Sequence, residues 1–318
     1  MPQPSNPQRS PPRLTKSRYL SGRQCPRRLW LGGQGVSEPE IEPEDVWEVR
    51  EAEGAEVETQ AEALFPGSAR IVPAADDDAS IEEAPDFASN VTRTQTELAR
   101  PAAAGAPALL QAHLIAGALA VVVDVLERRP DGTHWIWEVK GSTSLSPIHD
   151  YDLAFQVFVA QRAGLTVSGC GLILLHREYV RGAEGLDPHA LLVRVDRTSE
   201  VFALLPGVEA EIESMLGILG EESMPAAIPG RRCRGSRSVK SARRPSDCGH
   251  LQRDGICGRT IPEWWVADLP RLDDRRELQL EERGIDDLRY LDPLDSRYGF
   301  TERQLRVIDG AKSGEVWL

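Results

Sequence analysis

The sequence lacks an apolar run of membrane-spanning length. Its longest candidate, 114–125, contains small residues and is interrupted near its end by Asp124, so it reads as a buried strand rather than a membrane span. The N-terminal 1–13 is rich in Pro, Ser, Gln and Arg and has no apolar stretch of the kind a secretory signal needs. The expectation is a cytoplasmic, membrane-free protein with a disordered start. Internal repeats are also lacking. Positive charge is in the minority, 37 Lys and Arg against 50 Asp and Glu, which speaks against a generally basic nucleic-acid binder. The total hides local patches: acidic residues concentrate at 38–62 and 76–86, basic ones at 9–28 and 231–244. Such patches, more than the sum of −13, decide contact with a polyanion. Cysteine is scarce, with five in the chain. In a cytoplasmic protein disulfides are not expected, which leaves metal or cluster ligation as the alternative.

What is present is ample for a packed fold: 318 residues, 41% hydrophobic, enough for one large domain or two modest ones. Helical spacing predicts helices over 16–30, 43–64 and 91–100. The pattern then changes to strands at 109–115, 119–127 and 134–140, the last two joined by the turn Pro130-Asp131-Gly132. A helix over 150–163 is stopped by Gly164. Strands at 167–175 and 191–195, a helix over 198–219 and a short one over 302–312 complete the reading. Helix, three strands, helix, strand is the order of an α/β core on a mixed sheet. Trp264, Trp265 and the stretch 269–288 are expected to pack back on that core.

A hairpin centred on Asp131 puts Asp124 directly opposite Glu138, with Cβ atoms about 4.5–5.5 Å apart on one face. Two like charges that close need neutralising, and a hard divalent cation suits carboxylate oxygens. Lys140, two residues on, projects from the same face, whereas Trp135, Trp137 and Val139 point the other way into an apolar layer. The Val139 carbonyl remains within reach of such a cation. The set suits phosphodiester hydrolysis, with the metal as Lewis acid, a metal-bound water as nucleophile, and lysine positioning or helping to deprotonate that water or stabilising charge on phosphate. A polar edge on a solvated hairpin is the plainer alternative for Glu-Val-Lys alone.

The string Leu14-Thr15-Lys16-Ser17-Arg18-Tyr19-Leu20, running on through Cys25-Pro26-Arg27-Arg28-Leu29-Trp30, resembles the start of a bacterial family of RecB-like nucleases. These are similar to the CRISPR-associated RecB-type iron–sulfur exonucleases. Asp124-Val125-Leu126, Trp137-Glu138-Val139-Lys140-Gly141 and Asp152-Leu153-Ala154-Phe155-Gln156 resemble the family's motifs in order. The resemblance implies a PD-(D/E)XK nuclease with a restriction-endonuclease-like core, a central mixed sheet flanked by helices and helical N- and C-terminal parts. It implies a nuclease domain over 14–260 and a helical extension over 261–318, which is apparently truncated. By position, Asp124, Glu138 and the Val139 carbonyl would hold Mg²⁺ or Mn²⁺, Lys140 would assist the water, and Gln156 would contact the active site or substrate. Where relatives place a metal-binding histidine this chain has Glu58, an oxygen donor, though an exposed helix charge is the plainer reading. The substrate implied is DNA, single- or double-stranded.

The family often carries a [4Fe–4S] cluster on one early and three late cysteines, a distribution matched by Cys25, Cys233, Cys248 and Cys257. Their spacing is longer than the family's, so unligated thiols, or a zinc site that includes His250, stay open as alternatives. Cys170, between two glycines, is expected to be simply buried. The basic loop Arg231, Arg232, Arg234, Arg237, Lys240, Arg243 and Arg244 is either a track for a DNA backbone or a solvated charge run. Two other functions compete with the nuclease: a catalytically weak nucleic-acid-binding module with a structural iron–sulfur or zinc site, and a non-functional fragment of a larger nuclease.

Overall fold

The computed structural model describes residues 12–39, 44–72, 86–101, 104–183, 185–227, 229–230, 233, 248–251, 255–292 and 298–314. The elements run β1 (Leu14–Thr15), α1 (Lys16–Gln24), α2 (Pro26–Gly33), α3 (Glu44–Glu62), β2 (Ala69–Arg70) and α4 (Phe87–Leu98). Next come β3 (Ala108–Ala116), β4 (Leu119–Arg128), β5 (His134–Lys140), α5 (Pro147–Arg162), β6 (Val167–Leu175), α6 (Pro188–Leu191) and β7 (Leu192–Asp196). The chain continues through α7 (Thr198–Leu219), α8 (Asp274–Glu282) and α9 (Glu302–Ser313).

The strands form one mixed sheet in the order β2-β3-β4-β5-β6-β7, with β1 paired to β4. β3, β4 and β5 are an antiparallel meander. β6 returns parallel to β5 after the crossover through α5, and β7 closes antiparallel to β6. The architecture is thus the mixed α/β fold that the element order predicts.

Side-chain alternation divides β5 between two apolar layers. Ile136 joins Leu153 and Phe155 of α5, Tyr19 of α1 and Val208 and Ile212 of α7 in the larger core. The Tyr19 and Phe155 rings stack there at 4.9 Å. Trp137 and Val139 face the other way, against Val57 and Ala61 of α3. Both β5 tryptophans lie across β6 at glycines, Trp135 in register with Gly169 and Trp137 with Gly171. A Cβ on Gly171 would fall 2.6 Å from the Trp137 ring, so only glycine leaves room for the indole. Cys170, between them, is fully buried in the larger core.

Two expectations change. The helix over 16–30 is two helices, because Cys25 takes an extended backbone (φ −160°, ψ 127°) ahead of Pro26, the first residue of α2. Proline disfavours the helical region for the residue before it and suits the first helical position. The C-terminal part also builds its own apolar cluster instead of packing back on the sheet. Trp265, Leu269 and Leu288 gather with Leu280, Leu291 and Ile308. Trp265 is buried there and donates its Nε1–H to the Pro229 carbonyl at 3.2 Å, so it is not free to stack on bases. The disordered start falls on residues 1–11, outside the described residues, apart from Pro12 and Arg13. No helix among the described residues is long and apolar enough to cross a membrane.

Candidate active site

One edge of β4 serves two partners. Leu119 and Ala120 pair with β1, and Val125 to Arg128 pair with β5. Val121 to Asp124 lie in the gap between them, and the candidate residues gather at this fork. The β4–β5 register, Val125 to Trp137 and Leu126 to Ile136, continues to Asp124 opposite Glu138, as the hairpin argument predicts. Here a side chain replaces the ladder bond: Asp124 Oδ2 accepts the Val139 N–H at 2.8 Å. On the other side of Asp124 the β3–β4 pairing skips Gln111, which lies between the paired Leu110 and Ala112. Gln111 has φ +54°, a left-handed conformation that a non-glycine strand residue seldom adopts. Both neighbours of Asp124 are thus irregular.

Glu138, Asp152 and Gln156 form a buried floor, 2%, 3% and 0% exposed. Asp152 and Gln156 are one turn apart on α5 and so share its face. Gln156 Nε2 donates to Glu138 Oε2 at 2.6 Å and to Asp152 Oδ1 at 3.0 Å. Lys140 Nζ donates to Glu138 Oε1 at 2.5 Å and Asp152 Oδ2 at 2.9 Å. A second ammonium, Lys16 Nζ, reaches the same Glu138 Oε1 at 2.8 Å and lies 3.8 Å from Asp152 Oδ1. Lys16 is the first residue of α1 and follows β1 directly, so the β1–β4 pairing delivers it to the fork.

The electrostatics are uneven. Burial pushes the Glu138 carboxyl up, but Lys140 and Lys16 more than offset it and hold it well below the usual carboxylate range. Burial would lower Lys140, yet Glu138 and Asp152 keep it above the ordinary lysine value. The same opposition holds for Lys16, with Asp152 and Glu138 prevailing. Asp124 differs. Burial and the Glu138 charge push it well above its ordinary value, Lys16 opposes this, and Glu58 adds to the rise. Asp124 is thus the half-buried carboxylate that the two lysines neutralise least. Glu58 is itself half-buried and accepts from Gln111 Nε2 at 3.1 Å, which corrects its reading as an exposed helix charge.

Asp124, Glu138, Lys140 and Gln156 thus lie together, and Glu58 stands beside them. Of Val139, it is the amide that touches Asp124. Lys16, Asp152 and Gln111 join the expected residues. Lys16 and Asp152 lie in the strings that carry the family resemblance, and the one-turn spacing of Asp152 and Gln156 is a further readable signal.

A hard divalent cation fits these residues. The donors are carboxylate oxygens, Asp124 is under-neutralised, and the buried Gln156 Oε1 has no hydrogen-bond partner. Among the described residues no three His, Cys, Asp or Glu side chains form a ready-made metal-holding group.

Cys25, Cys233, Cys248 and Cys257 are all buried. The Cys248 N–H donates to the Cys233 carbonyl at 2.7 Å, and Arg27 Nη1 donates to Cys257 Sγ at 3.4 Å. Burial and the Glu38 charge push the Cys248 thiol up to about 12. His250 is buried as well. The basic residues Arg231, Arg232, Arg234, Arg237, Lys240, Arg243 and Arg244 lie outside the described residues. Comparison with models of known families and with curated proteins gives no match.

Proposed function

We propose that the chain is a metal-dependent DNA nuclease of the PD-(D/E)XK type, RecB-like in kind and acting in the cytoplasm. The observation that carries the reading is the convergence of Asp124, Glu138, Lys140 and Gln156 at the fork of β4, with Asp124 left short of positive charge. Asp124 and Glu138, with the Val139 carbonyl, would hold Mg²⁺ or Mn²⁺, and Glu58 stands near enough to add a charge. The ion would supply Lewis acidity toward a phosphodiester oxygen. Lys140 donates to both Glu138 and Asp152, which places its ammonium to position a water or to stabilise charge on phosphate. Gln156 fixes the Glu138 carboxylate through Oε2. Asp152 anchors both Lys140 and Gln156 and so positions them.

A [4Fe–4S] cluster on Cys25, Cys233, Cys248 and Cys257 belongs to the same proposal: all four cysteines are buried, while no three of them form a ready-made metal-holding group among the described residues. Anaerobically purified protein should be brown and contain iron and sulfide; colourless protein lacking both would sink the cluster.

The deciding experiment uses end-labelled single- and double-stranded DNA with Mn²⁺, Mg²⁺ or EDTA. Wild type should cleave only with metal, and Glu138→Ala should lose cleavage. A folded wild type that binds DNA without cleaving it would instead favour a nucleic-acid-binding module.

A further inference from the structure

We propose that Lys16 is a resident counter-ion of this site: its ammonium rests on the carboxylate floor in the metal-free protein, and a divalent cation must displace it to bind. This rests on the nuclease reading, since it presumes a site that takes such an ion.

Occupancy is the first observation. Both Glu138 oxygens are engaged, Oε1 by Lys16 and Lys140 and Oε2 by Gln156. Each carboxylate oxygen has two lone pairs, so Oε1 with its two ammonium donors is full, and a hard cation that takes Oε1 has to displace one of them. Gln156 is fully buried on α5. Lys140 shares a strand with Glu138 and is pinned a second time by Asp152. Lys16 makes one short contact and one at 3.8 Å. It is held at the start of α1 behind a two-residue strand; its side chain is 21% exposed and that of Lys140 26%, so what sets Lys16 apart is the lack of a second close anchor, not its exposure.

The choice of residue is the second observation. Lys16, Lys140, Lys240 and Lys312 are the only lysines in a sequence with 37 Lys and Arg. Arg23–Glu211, Arg197–Asp150 and Arg289–Asp287 pairs elsewhere use arginine, yet both cations of this site are lysines. Guanidinium would lock a carboxylate with a planar fork, whereas an ammonium on a flexible stem makes point contacts that can be broken singly. Charge is the third. Asp124, Glu138 and Asp152 outnumber the two ammonium groups, so losing Lys16 from the floor leaves a deficit that a divalent ion fills.

The test is calorimetric titration of Mn²⁺ into the metal-free full chain, as wild type, Lys16→Gln and Lys16→Arg. Lys16→Gln is expected to bind at least about tenfold more tightly, because one cation repels another strongly at such range. Lys16→Arg should bind no more tightly than wild type. Equal or weaker binding by folded Lys16→Gln overturns the proposal. A readout on wild type stands even if that variant fails to fold. Acetylation with an N-hydroxysuccinimide ester, quantified per lysine by mass spectrometry, should rise severalfold at Lys16 relative to Lys312 when Mn²⁺ is added. No rise overturns it. Wild type that binds no Mn²⁺ is the separate failure of the nuclease reading. In that case a Lys16→Gln variant that gains binding upholds the counter-ion, and one that does not overturns it.

Discussion

Replacing Asp124 by asparagine separates what this carboxylate does for the fold from what it does for a metal. Asparagine keeps the shape and an oxygen able to accept the Val139 N–H, which Asp124 holds at 2.8 Å. What it removes is the charge facing Glu138. At a cross-strand separation of about 5 Å and an effective dielectric constant of about 20, the repulsion is about 3 kcal/mol. Lys16 and Lys140 attract Asp124 as well, and losing that attraction offsets part of the gain. The net expectation is a metal-free variant more stable than wild type by about 1–2 kcal/mol, a rise of a few degrees in Tm. Mn²⁺ reverses the order. At a hundredfold excess over its Kd it should add about 2.7 kcal/mol to wild type and little to the variant. Thermal unfolding followed by circular dichroism, in EDTA and in Mn²⁺, reads both arms. A variant less stable than wild type in EDTA by more than about 1 kcal/mol would refute the electrostatic argument. A variant that gains as much from Mn²⁺ as wild type would refute the assignment of Asp124 as a ligand.

Other expectations concern the frame around the site. Gly171→Ala forces a Cβ to 2.4 Å from the Val195 carbonyl oxygen and 2.6 Å from the Trp137 ring and should cost about 1–3 kcal/mol; an unchanged urea midpoint would show that both β7 and the indole can give way. Gln111→Gly and Gln111→Ala both lose the bond to Glu58, but only alanine keeps a Cβ at φ +54°. The glycine variant should be the more stable by about 1 kcal/mol, and equal midpoints would remove the claim of strain. Burial lowers His113 below its ordinary value, so between that lowered value and about 6.5 the unfolded chain binds a proton that the folded one does not. The stability His113 contributes is complete above about 6.5 and is lost as pH falls through the folded value. Wild type should therefore lose more stability than His113→Gln does as pH falls from about 7.5, above the ordinary histidine value, into the range below about 6.5; identical losses would assign the pH dependence to other groups.

Much of this was legible in the sequence because it is local or follows from alternation. The turn at Asp131 fixes the β4–β5 register, which aligns Asp124 with Glu138 and sends Trp137 and Val139 to the opposite layer. The spans of β5, β6 and α7 follow from apolar patterning alone. What escaped has causes that patterning does not carry. The break at Cys25 came from the proline behind it, a signal present but outweighed by the apolar anchors on either side. β1 and β2 are two residues each, too short for any period to show. The role of the second lysine escaped for a different reason. The opposed carboxylates demanded a positive charge, and a metal was the evident source, whereas the chain also supplies one from a segment with no sequence relation to the hairpin.

Lys16 and Glu138 are 122 positions apart, and that separation bears on how the molecule is assembled. The meander and α5 bring Asp124, Glu138, Lys140, Asp152 and Gln156 together within 124–156, across short connections that close at modest entropic cost. The contact from Lys16 closes a far longer loop and is favoured only once the shorter ones exist. A ribosome delivers these pieces in the opposite order. The N-terminal strand and its lysine emerge before β4 and β5, the strands that carry their partners, so this contact has to wait for most of the sheet to be synthesised.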